Sequence, residues 1–172
     1  MKKSKMIALS AIASAFAVIF LALGAIVPTL DYSGIFMASI CMTIPLTKKS
    51  VWSGAMSYVA SALLSLLFVG GRLEITVTFA LFFGLHPLVN FLFNKIRLNK
   101  VLALAIKEVW FIASLLILYA LFRDFVGFEN EILQKYAVLI LVVGGGLIFI
   151  AYDYMMQRFQ RFMDMAVARL KL

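Results

Sequence analysis

Twenty-five consecutive residues, Met6 to Leu30, carry no charged side chain, and they lie between Lys2, Lys3 and Lys5 on one side and Asp31 on the other. As a helix rising 1.5 Å per residue this stretch covers roughly 37 Å, more than the ~30 Å hydrocarbon core of a bilayer. It can cross with tilt to spare, and Pro28 is expected to end it at the far surface. Because the lysines precede it, the positive-inside rule sets its N-terminus in the cytoplasm. Every later crossing takes its direction from this one. The run is too long for the apolar segment of a signal peptide, and the Ala-x-Ala sites at 11–13 and 13–15 fall inside it, so an uncleaved first span is expected.

Composition agrees with a membrane chain. Of 172 residues, 65% are hydrophobic and 14% charged, where a soluble domain is nearer half apolar and a quarter charged. A net charge of +8 in a soluble protein would point to nucleic acid; here the basic residues cluster at span ends, so no nucleic-acid partner is expected. Cys41 is alone in an apolar run, which leaves neither a disulfide framework nor a cysteine metal site.

Reading on from the first span, the pattern predicts an all-α integral membrane protein with six transmembrane helices over 6–30, 32–47, 51–69, 75–94, 101–122 and 136–157. The second run is short, ~24 Å as a helix, and Pro45 suggests a break near its end. Outer turns are expected at Asp31–Gly34 and Gly70–Glu74, and a longer outer loop from Arg123 to Lys135 with Phe125, Phe128 and Ile132 on the surface. Gly144, Gly145 and Gly146 permit close packing or a bend. The segment 158–172 reads as a separate basic amphipathic tail resting on the inner leaflet. Six crossings place twelve basic residues on the inner side and three (Arg72, Arg123, Lys135) on the outer side, with Lys107 inside a span, so both termini are expected in the cytoplasm.

Small residues mark the packing faces. Ser10 and Ser14, Ala11 and Ala15, and Ala13 and Ala17 stand four apart in span one, and Ser53, Ser57, Ser61 and Ser65 recur every four in span three. In lipid such spacing brings backbones together; a polar conduit is the alternative for the serine stripe. Ionisable groups within the membrane are the first places to look for chemistry. His86, Lys107, Glu108 and Asp153 qualify, with Asn90 one turn from His86. Counted from Lys95 and Lys100, His86 and Glu108 both lie ~12–14 Å from the inner boundary, so they could face each other, and Asp153 is within reach of Lys107. The group is either a proton or substrate relay or a clamp pairing Lys107 with Asp153 and Glu108 with His86. His86-Pro87 also frees a carbonyl near Phe83 and kinks span four.

A second polar group is expected at the outer ends: Arg72, Glu74, Thr76 and Thr78, with Tyr119 and Tyr136, and Asp31 and Tyr32 if the outer loops converge. Such a rim suits a small polar or aromatic ligand, Arg72 taking a carboxylate or phosphate; ordinary interfacial tyrosines and loop charge are the other reading. Metalloprotease, serine-hydrolase and P-loop signatures are missing from the sequence, so no enzyme, cofactor or metal is expected and the chain cannot hydrolyse ATP by itself.

The basic start followed by Ile7-Ala8-Leu9-Ser10-Ala11-Ile12-Ala13-Ser14-Ala15, with the chain length and six expected spans, resembles the substrate-binding S components of energy-coupling factor (ECF) vitamin transporters. That resemblance implies a bacterial plasma-membrane protein that captures a small molecule and docks a transmembrane coupling subunit with two cytoplasmic ATPases. It implies docking through an Ala-x-x-x-Ala face, matched here by Ala11 and Ala15 with Ala13 and Ala17 as a second register, and a ligand site on the outer half. Two other readings remain: a non-transporting scaffold resembling the rod-shape-determining MreD family, and a small proton-coupled carrier using His86 and Glu108.

Overall fold

The computed structural model describes residues 3–122 and 134–169. All regular structure in them is helical: α1 (Lys3–Ile26), α2 (Asp31–Cys41), α3 (Thr43–Leu46), α4 (Val51–Phe68), α5 (Leu73–Thr78), α6 (His86–Lys95), α7 (Lys100–Leu121) and α8 (Ala137–Arg169). Among the described residues these make six stretches long and apolar enough to cross a membrane: Ser4–Ile26, Pro28–Leu46, Val51–Phe68, Leu73–Lys95, Lys100–Leu121 and Ala137–Arg169. Apart from Gln134 and Lys135, the expected outer loop with Phe125, Phe128 and Ile132 lies outside the described residues, as do Met1, Lys2 and 170–172.

Prolines explain where the helices break. Val27 is extended and Pro28 opens a short 3-10 turn, Pro28–Leu30, so span one stops where expected. In span two the break falls at Met42, three residues ahead of Pro45. Proline has no N–H for the Cys41 carbonyl, so α2 ends at Cys41 and α3 starts afresh with Pro45 in its first turn. The Thr43 hydroxyl donates to the Ile40 carbonyl at 2.7 Å and satisfies one of the groups left over. Pro87 acts in the same way on span four. A π-helical turn, Phe79–Phe83, separates α5 from α6, closed by Gly84 N–H to Phe79 O at 2.7 Å. Gly70 and Gly71, at φ +64° and +92°, form the tight turn between α4 and α5.

The packing has two halves joined by the fourth span. Ala13, Ala17, Leu21, Ile35, Ala38 and Phe79 belong to one core cluster, and Phe82, Phe111, Phe149, Tyr152 and Met156 to the other. Spans two and four are the interior ones, 56% and 44% buried over their apolar windows against 28–33% for the rest. α1 and α4 run side by side in the same direction. Ser10 Oγ donates to Ser53 O and Ser14 Oγ to Ser57 O, both at 3.2 Å, and Ser57, Ser61 and Ser65 are buried. The Ser53 and Ser57 carbonyls thus hold α1, Ser65 Oγ donates to Thr76 Oγ1 of α5 at 3.0 Å and Ser61 Oγ turns back to Ser57 O within α4, so the stripe is buried in helix packing. α1 and α2 are antiparallel and closer still: a Cβ at Gly34 would lie 2.5 Å from Phe20 O.

α8 departs from the expected boundary. It continues without interruption through Arg158 to Arg169, 33 residues or ~50 Å, so no break in the helix separates the basic segment from the apolar stretch before it. The three glycines do not break it. Gly144 faces open space, while Gly145 and Gly146 admit Leu115 and Glu108 of α7.

Candidate functional site

A buried polar cluster ties α6, α7 and α8 together. His86 stands at the start of α6, Lys107 two turns into α7 and Asp153 midway along α8; they are 0%, 2% and 3% exposed. His86 Nε2 lies 2.9 Å from Asp153 Oδ1, and Lys107 Nζ donates to the same oxygen and, at 3.0 Å, to Asn90 Oδ1. Gln157, one turn beyond Asp153, donates to its Oδ2 at 2.8 Å. With its proton on Nε2, the His86 ring adds a third donor to the Asp153 carboxylate beside Lys107 and Gln157 and leaves the lone pair on Nδ1. Nδ1 is fully buried and, among the described side chains, is the buried polar atom without a partner. Lys107 and Asp153 pair directly as opposite charges within apolar walls, so neither is left buried without a partner.

The aromatic surroundings fix His86. Its ring packs 5.2 Å from Phe82, 4.8 Å from Tyr152 and 6.1 Å from Phe149. The carbonyl that Pro87 frees is taken up as well: Ser39 Oγ of α2 donates to Phe83 O at 2.6 Å and shares a 2.8 Å hydrogen bond with Tyr152 Oη. The polar network therefore reaches from span two to span six.

Two expectations about this group change. Lys107 and Asp153 pair as the sequence suggests, but His86 pairs with Asp153 and not with Glu108. Consecutive residues on a helix point about 100° apart, and with Lys107 turned into the cluster, Glu108 is turned to Gly146, whose Cβ position is 2.9 Å from Glu108 Oε1. A relay from His86 to Glu108 loses its geometry. Gln157, Tyr152 and Ser39 were not singled out from the sequence. The i, i+4 spacing of Asp153 and Gln157 signals the first of them; for the other two there is no local signal.

The outer group assembles differently from a ligand rim. The ends expected on that side do converge, although Asp31–Gly34, expected as a turn, is the first turn of α2: Arg72 forks onto Asp31 at 2.9 and 2.7 Å, its Nε donates to Glu74 at 2.9 Å, and it reaches Ala25 O at 3.4 Å. Pairing with Asp31 first, and with Glu74, raises the Arg72 pKa above its ordinary value, so the guanidinium stays charged and engaged. Thr76 and Thr78 are buried in the bundle, Thr76 accepting from Ser65 Oγ at 3.0 Å and Thr78 donating to Glu74 O at 2.6 Å. Tyr119 is half-buried, and Tyr136 is half-exposed with Lys135 Nζ 5.8 Å from its ring centroid.

On α1 the two alanine registers separate. Ala13 and Ala17 are 0% exposed, consumed by the core, whereas Ala11 and Ala15 face outward. No family model, curated protein or solved structure matches this chain.

Proposed function

We propose that this protein is a membrane-embedded substrate-capture subunit of the ECF type, which hands a vitamin-like small molecule across the membrane when a coupling subunit carrying two cytoplasmic ATPases docks on α1. The observation that carries this reading is the outward-facing Ala11–Ala15 ridge. The neighbouring register is filled by the fold itself, so the ridge is left as the small-residue surface on which another helix can close. The basic residues flanking the spans set both termini in the cytoplasm.

A bulky side chain at Ala11 or Ala15 is tolerated by the fold, which leaves both exposed, but holds a partner helix away. Ala15→Trp is expected to abolish co-purification with an ATPase-bearing complex and to reduce uptake at least tenfold, while ligand retention by the isolated subunit survives. Unchanged uptake removes the docking face. Orientation has its own check. A cysteine inserted between Gly70 and Gly71 should react with an impermeant maleimide in whole cells; labelling only after lysis reverses the topology.

One observation favours the scaffold reading: Arg72 is already satisfied by Asp31 and Glu74, which weakens a charged ligand rim. Native mass spectrometry of the gently purified protein separates the two. A retained vitamin-sized molecule supports capture; none retained, with a cell-shape defect on deletion, supports a scaffold.

A further inference from the structure

The second half of α8 carries a surface that neither the buried cluster nor the α1 ridge uses. Met155, Arg158, Phe159 and Phe162, at i, i+3, i+4 and i+7 and so on one face of the helix, line an open groove of about 390 Å³. Three of the four are apolar. Phe159 is backed by the Phe36 ring of α2 at 6.1 Å, while Met155 and Phe162 are 44% and 60% exposed. Arg158 stands at the edge. Its guanidinium lies 5.2 Å from the Tyr154 ring centroid and donates to the Tyr154 hydroxyl at 2.6 and 3.1 Å. Among the described residues no carboxylate forms an ion pair with it, and Asp164, the acid of this segment, is held by Gln160 at 3.0 Å. Arg161 follows one turn on.

The depth of the groove indicates what fills it. Lys107 lies seven residues, ~10 Å, inside Lys100, and its partner Asp153 lies five residues, ~7–8 Å, before Arg158 in the opposite-running α8. Arg158 is thus close to the level of the basic turn Lys95–Lys100, where phospholipid headgroups sit. An unpaired guanidinium there complements a negative charge, and the aromatic floor complements an acyl chain.

We propose that this groove binds one anionic phospholipid, its phosphate on Arg158 and an acyl chain along Phe159 and Phe162. The reading is independent of what α1 docks. A zwitterionic lipid offers the same chains with no net charge, so charge at Arg158 is the discriminating contact.

The test titrates the full chain in detergent with phosphatidylglycerol and, separately, phosphatidylcholine of identical chains, counting retained lipid by native mass spectrometry. One phosphatidylglycerol is expected to be retained with about a fivefold preference, the effect of one basic group near a headgroup. Arg158→Gln should bring the preference to about one, and Arg158→Lys should keep part of it. Phe162→Ala, at an exposed position, should weaken both lipids alike and leave the preference intact. Millimolar inorganic phosphate should displace neither. Equal retention of the two lipids by the unaltered protein, or an undiminished preference in Arg158→Gln, means annular lipid only and overturns the site. Displacement by free phosphate overturns the acyl-chain half of the proposal.

Discussion

Replacing Asp153 with Ala will lower stability by about 3–5 kcal/mol, because it strands the Lys107 ammonium, 2% exposed, and the His86 ring, 0% exposed, without their shared acceptor. Lys107→Met should be almost as damaging from the other side, leaving Asp153 with donors from His86 and Gln157 but no countercharge. The two changes are not additive. Asp153→Leu combined with Lys107→Met removes both charges and fills the same space with apolar atoms, and this pair should recover most of the lost stability. Thermal unfolding in one detergent, run as a double-mutant cycle, measures the coupling. A single-site loss below about 1 kcal/mol, or a double variant no better than either single one, would show that the cluster does not clamp the last three spans. Glu108→Gln serves as the control: Glu108 faces Gly146 and not His86, so both stability and the cluster should survive.

Gly34→Ala is the second large effect, for a different reason. The added methyl would meet Phe20 O at 2.5 Å and the Gly24 backbone at 3.1–3.2 Å. These are backbone atoms of α1, which cannot swing aside as a side chain can, so the α1–α2 pair must separate. Overpacking of a close interface costs about 1–3 kcal/mol. A leucine at Gly34 should prevent folding altogether. Gly144→Ala, placed where a Cβ meets nothing within 4 Å, should be neutral or gain up to about 1 kcal/mol from helix propensity. If Gly34→Ala and Gly144→Ala unfold at the same temperature, the tight α1–α2 contact is not a determinant of the fold.

The groups at issue in both experiments differ in how visible they are along the chain. A buried charge is conspicuous in an apolar run, which is why His86, Lys107, Glu108 and Asp153 stand out at once. Proline is equally legible. The carbonyl freed by Pro87 was expected near Phe83 and is found there, although its acceptance of the Ser39 hydroxyl depends on a residue 44 positions away. Glycine was harder to read. Gly34 looked like part of a turn, and only the approach of α1 makes it a contact point. Arg72 suits the carboxylate or phosphate of a ligand; the carboxylate it takes is that of Asp31, 41 residues earlier, at 2.7 Å.

The sequence by itself determined the six apolar stretches and their near limits, because length and hydropathy are local properties of each segment. What only the tertiary structure decided is angular. One residue of a helix is 100° of rotation, so whether Lys107 or Glu108 turns toward Asp153, and whether Ala11–Ala15 or Ala13–Ala17 stays open, depends on which neighbour covers which side. That is settled by the helices packed around each face, and no window along a single chain segment contains it.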